Sequence, residues 1–188
     1  MKGMKALLAR QKFRWWLATM GTASILLITA YTLAQQSSRL TANDAPMEAA
    51  QTAKKQLERG SQPTDVIPTN EIDLKKDIGV FVTVTDNSEH VLASSSTLDG
   101  QAKLPPAGTF VYTKQHGSDK FTWQPQDGAR LATYMLPYGQ APNDGFVIAG
   151  QSLKPAESRI ATYGWLCLAG WLAVLAWATF ILLLPYAD

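Results

Sequence analysis

Two long runs of this sequence contain no Asp, Glu, Lys or Arg, although the chain has 17 basic and 15 acidic residues. They cover residues 15–34 and 160–184, which is 20 and 25 residues. A helix needs about 20 residues to cross the hydrocarbon core of a bilayer. Both runs are therefore predicted to be transmembrane helices that lie in a lipid bilayer, which is the first of the predicted binding partners of this chain. A freely soluble protein and a nucleic-acid binder are not expected.

The charge distribution predicts an orientation. Five basic and no acidic residues precede the first run, whereas residues 35–159 hold 12 basic and 14 acidic residues. Positively charged flanks stay in the cytoplasm. We therefore expect a two-pass protein of the bacterial inner membrane, with both termini cytoplasmic. The predicted segments are a basic tail at 1–14, a first span at 15–34, an extracytoplasmic domain at 35–159, a second span at 160–184 and a tail at 185–188.

A cleaved signal peptide is the alternative for the first run, because small residues precede Gln35 after a basic segment. The run is longer than the apolar part of most signal peptides, which favours a retained span. The only cysteine, Cys167, lies in the second run. The central domain therefore has no disulfide and must be held together by its core.

The central domain is predicted to be α+β. Residues 40–60 show helix signals, with Asn43 or Asp44 as the cap, Gly60 at the end, and a narrow apolar stripe that we expect to lie against a sheet or a partner. Alternating residues then predict a hairpin over 81–95 and strands at 109–114, 120–124, 129–136 and 145–150. The prediction is one N-terminal helix and five or six antiparallel strands, between two transmembrane helices.

Several segments carry a resemblance to a known family. They are the hairpin FVTVTDNSEHVLASS at 81–95, the loop LDG at 98–100, and the closing strands that lead into the second span. Together with the preceding helix, they resemble the extracytoplasmic PAS-like sensor domains of bacteria, called PDC or Cache domains. The segments at 42–44, 122–125, 128–132 and 149–153 are also similar to a group of uncharacterised two-span bacterial membrane proteins. The resemblance covers residues 42–159.

The resemblance implies signal transduction by non-covalent recognition. We expect a membrane-anchored sensing or binding protein that recognises a small molecule or a protein outside the cell. No output domain is expected after the second span, so a membrane protein partner or a homodimer would transmit the signal. The alternative is a ligand-free accessory or assembly subunit of a larger membrane complex.

Four residues form the candidate ligand site: Tyr112, Trp123, Arg130 and Tyr134. An arginine on a strand between aromatic side chains can bind a carboxylate through two parallel hydrogen bonds, while the rings bury the rest of the ligand. The predicted ligand is therefore a small-molecule carboxylate. The alternative is that the aromatic rings fill the core and Arg130 pairs at the surface with Asp127 or Asp119.

No catalytic, metal or cofactor site is predicted, and an enzyme is not expected. His116, Ser118 and Asp119 lie too close together along the chain for a catalytic triad. Only two histidines occur, and the one cysteine lies in a predicted span. A zinc site needs three or four suitable ligands close together.

Overall fold

The computed structural model describes residues 2–140 and 143–184, so the predicted tail at 185–188 lies outside the described residues. The chain divides into two compact units. One contains the residues up to Ser37 and from Ser158 onward, and the other is Ser38–Glu157.

The first unit is built from helices α1 (Lys2–Thr41) and α4 (Lys154–Leu183). Both helices are long and apolar enough to cross a membrane. Their most apolar windows have mean hydropathies of 1.6 and 2.3, and only 6% of each window is buried within the protein. Apolar surface of this extent normally lies against lipid or another protein.

Side-chain hydrogen bonds join α1 to α4. The Trp16 indole Nε1 donates to Thr179 Oγ1 over 3.3 Å, and the Trp171 indole Nε1 donates to Ser24 Oγ over 3.0 Å. The contact that lies later in α1, at Ser24, has the partner that lies earlier in α4, at Trp171. The two helices are therefore antiparallel neighbours within this unit.

Helix α2 (Asp44–Glu58) is the first helix that lies entirely in the second unit, and the helix predicted at 40–60 anticipates it. Leu40 and Thr41 belong to α1 instead. Beyond α2, Gly60 adopts a φ of +95°, which favours glycine. Ala50 and Ala53 are buried against the sheet, as the predicted apolar stripe required.

Five strands form one antiparallel sheet in the order β3-β2-β7-β6-β5. They are β2 (Phe81–Asp86), β3 (Val91–Ser94), β5 (Asp119–Gln126), β6 (Ala129–Gln140) and β7 (Asn143–Ser152). Two short strands, β1 (Ile72–Asp73) and β4 (Ser96–Thr97), form a separate parallel pair. The α+β class, the 81–95 hairpin and the antiparallel sheet are confirmed.

The strand predicted at 109–114 is wrong, because helix α3 (Ala107–His116) occupies this segment. Phe110 and Thr113 are three residues apart and both are buried, which is the spacing of one helix face. The Phe110 ring meets Phe146 of β7 edge to face, with centroids 5.2 Å apart. Packing against the sheet thus overrides the β preference of the Phe, Val, Tyr and Thr residues in this segment.

The sheet buries both of its faces. The first face packs against α2 through Val82, Val84, Tyr134, Leu136, Val147 and Ala149. The second face packs against Phe110 of α3 through Phe81, Trp123, Leu131, Met135, Phe146 and Ile148. Neighbouring residues of a strand point to opposite faces, so the period-two pattern at 81–85 supplies both cores.

Hydroxyl groups join the edge strand β3 and the residues after it to the neighbouring strand β2. Thr83 Oγ1 lies 2.8 Å from Ser94 Oγ and 3.3 Å from Ser96 Oγ. The buried hydroxyls of Thr85, Thr113 and Thr133, by contrast, have no hydrogen-bond partner among the described residues. These two kinds of buried threonine should differ in their contribution to stability.

We expect Thr83→Val to lower the free energy of unfolding by about 1 kcal/mol, because it removes a satisfied buried hydrogen bond. Thr133→Val should leave stability unchanged or raise it by up to about 1 kcal/mol, because it removes an unsatisfied polar group. Denaturation of the detergent-purified full chain, followed by near-UV circular dichroism, compares the two. Equal losses in both variants would contradict this assignment.

Gly145 allows a close crossing of β7, the middle strand of the sheet. It is the register partner of Asp86 on β2 and of Tyr138 on β6. The Tyr138 hydroxyl donates to the Thr85 carbonyl of β2 over 3.3 Å, so its side chain crosses β7 at Gly145. A Cβ atom at Gly145 would lie 2.0 Å from that carbonyl oxygen.

Gly145→Ala should therefore lower the free energy of unfolding by at least about 2 kcal/mol, since a backbone oxygen cannot rotate away from the added methyl group. The control is Gly108→Ala in α3, where an added Cβ meets no atom within 4 Å. This control should be neutral or slightly stabilising, because alanine favours helix. The same denaturation measurement tests both, and a stable Gly145→Ala protein would refute the crowding argument.

Candidate functional site

The four residues of the predicted ligand site do not lie together. Trp123 of β5 is buried on the second face of the sheet, whereas Tyr134 of β6 is buried on the first face. Tyr112 belongs to α3 rather than to a strand, and its ring stacks on that of His116 with centroids 3.9 Å apart. The expectation of one shared sheet face is therefore corrected.

Arg130 already has a carboxylate partner within its own unit. Its Nη1 donates to Glu157 Oε1 over 3.0 Å, and about half of each side chain is exposed. The partner is thus Glu157, and not Asp127 or Asp119 as the alternative from the sequence suggested. Arg130 is therefore a surface residue, and it forms an ion pair with Glu157, the last residue of the unit.

A groove of about 500 Å³ runs along α2 instead. Its second wall is the segment that follows the short 3-10 turn at Pro63–Asp65, where Val66 is buried against the first core. The groove is open to solvent along its length. It is lined by Ala45, Glu48, Ala49, Thr52, Ala53, Gln56, Asp65, Val66, Ile67, Pro68 and Val82.

The groove has an apolar floor and acidic walls. Val66, Val82 and Ala53 form the floor. Glu48 on α2 and Asp65 on the opposite wall make no ion pair with any described residue. A positively charged group with an apolar body fits these surroundings, because it would pair with the two exposed carboxylates while covering the floor.

Part of the groove had a signal in the sequence. Glu48, Thr52 and Gln56 are spaced by four residues, which places them on one face of α2. The opposite wall depends on how the segment after Pro63 folds back onto the helix. No local pattern encodes that contact.

The histidines serve structural roles in the geometry seen here. Asp86 Oδ1 accepts hydrogen bonds from the backbone N–H groups of Ser88 and His90, and its Oδ2 lies 3.1 Å from His90 Nδ1. The His90 N–H and side chain hold the pKa of Asp86 below its ordinary value, against the opposing effect of burial. His116 Nδ1 lies 3.0 Å from the Tyr112 carbonyl oxygen.

Tyr138, near this turn, has a raised pKa. Burial is the main cause, and the negative charges of Asp86 and Asp144 add to it.

Within the described residues, no group of three or more His, Cys, Asp or Glu side chains is placed to hold a metal ion. The α2 groove is therefore the candidate functional site. No family model matches this chain, and no curated protein matches it.

Proposed function

We propose that this protein is a membrane-anchored, extracytoplasmic binding protein whose α2 groove recognises a basic segment of a partner protein. The observation that carries the proposal is that two carboxylates, Glu48 and Asp65, stand on the walls of an apolar groove and pair with no described residue. Arg130 is occupied by Glu157, so a cationic group replaces the carboxylate expected from the sequence.

The membrane part of the proposal rests on α1 and α4. Their apolar windows are almost entirely exposed within the protein, and lipid would cover them. The five basic residues that precede the first uncharged run support a cytoplasmic N-terminus. The unit Ser38–Glu157 would then face the outside, in the inner membrane of a bacterium.

The PDC-like assignment is part of the same proposal. A five-stranded antiparallel sheet with helix α2 on one face and α3 on the other is compatible with it. In a sensor, a ligand changes the signal only by binding two arrangements with different affinity. A membrane partner would then read the state of α1 and α4.

The open shape of the groove favours a protein segment over a metabolite. Small-molecule sites bury most of their ligand in a concave pocket, whereas this groove is open along its length. The same feature suits the accessory-subunit alternative, in which the groove is a fixed docking surface. Both versions require the acidic walls, and they differ in whether occupancy alters the membrane helices.

A fluorescent peptide of alternating Lys and Leu, added to the full chain in zwitterionic nanodiscs, tests the groove. We expect saturable binding that Glu48→Gln/Asp65→Asn weakens about tenfold, since two charge pairs together contribute roughly 1.4 kcal/mol. The control Asp99→Asn/Asp127→Asn removes the same charge elsewhere and should change the affinity less than twofold. Equal weakening by both double variants, or no binding to the wild type, would refute the proposed site.

A further inference from the structure

A second groove, of about 800 Å³, lies near the N-terminal end of α1. The described residues that line it recur at intervals of three and four, so they share one face of the helix. They are Leu7, Arg10, Gln11, Arg14, Trp15 and Ala18.

This face points away from α4. On the other side of α1, Trp16 donates a hydrogen bond to Thr179 of α4, and Lys12 donates one to the carbonyl of Leu184, the residue after α4. At 100° per residue, residues 10 and 14 lie about 120 to 160° around the helix from residues 12 and 16. The grooved face is thus not covered by α4.

The groove holds two cations that lack a countercharge. Arg10 and Arg14 are exposed and form no ion pair with a described residue, and no acidic residue precedes Asp44 in the sequence. One helical turn separates the two guanidinium groups. Guanidinium groups match the oxygens of a phosphate group through parallel hydrogen bonds.

The polarity changes along this face at the point where a lipid headgroup would meet its acyl chains. Arg14 is the last charged residue before the uncharged run at 15–34. Trp15 follows it with 68% of its surface exposed, and Ala18 lies one turn further into the run. Tryptophan favours the membrane–water interface, and small residues allow close approach of an acyl chain.

We infer that Arg10 and Arg14 bind the phosphate of an anionic phospholipid in the cytoplasmic leaflet, with Trp15 and Ala18 against its glycerol and acyl region. This inference rests on the membrane anchoring in the proposed function and is independent of the α2 groove. It assigns a lipid site to the basic segment, beyond its effect on orientation.

Native mass spectrometry of the full chain in detergent, titrated with phosphatidylglycerol or phosphatidylcholine, tests the site. We expect phosphatidylglycerol to bind at least tenfold more tightly than phosphatidylcholine, and Arg10→Ala/Arg14→Ala to remove this preference. The control Arg39→Ala/Arg59→Ala removes the same charge from exposed positions at the other end of the apolar run and beyond it, and should keep the preference. Arg10→Lys/Arg14→Lys retains the charge and should lose only part of it.

Three outcomes would overturn the inference: equal binding of the two lipids by the wild type, loss of the preference in the control, or displacement of the lipid by glycerol phosphate at an equal concentration. The last outcome would identify a site for free phosphate esters. Carbonate extraction of the same variants reports membrane anchoring separately. A protein that stays in the membrane without a lipid preference loses only the lipid site.

Discussion

The apolar side chains of α1 and α4 need surroundings that the polypeptide itself does not supply. Only 6% of the most apolar window of each helix is buried within the protein. The two helices are joined by hydrogen bonds at two positions, where the indoles of Trp16 and Trp171 donate to hydroxyl groups of the other helix. Such bonds contribute about 0.6 kcal/mol each in membrane proteins, so their main effect is to fix which residues of the two helices meet.

The unit Ser38–Glu157 is organised around α2 and the strands beside it. One side of α2 fills the first core of the sheet, and residues on its other side line the candidate groove. Core packing therefore holds Glu48 in place opposite the segment after Pro63. Among the described residues the only cysteine, Cys167, lies in α4, so this arrangement depends on packing and hydrogen bonds alone.

The sequence predicted those parts of the fold whose signal is local. The alternation at 81–85 and the two uncharged runs are patterns of residues that are adjacent in the sequence. They correspond to β2 and to the helices α1 and α4. The segment at 109–114 has β-favouring residues, but the contact between Phe110 and Phe146 selects a helix. The four predicted site residues do not share one sheet face, because strand pairing and helix formation place Trp123, Tyr134 and Tyr112 in different surroundings. Contacts between distant segments decided both.

The orientation of the protein is the central claim, because it decides on which side of the membrane the proposed groove and lipid site lie. Two single-cysteine proteins in a Cys167→Ser background, Lys2→Cys and Ser88→Cys, can be exposed to a membrane-impermeant maleimide on intact spheroplasts. We expect Ser88→Cys to be labelled at once and Lys2→Cys to be labelled only after the membrane is permeabilised. Labelling of Lys2→Cys on intact spheroplasts, with Ser88→Cys protected, would contradict it.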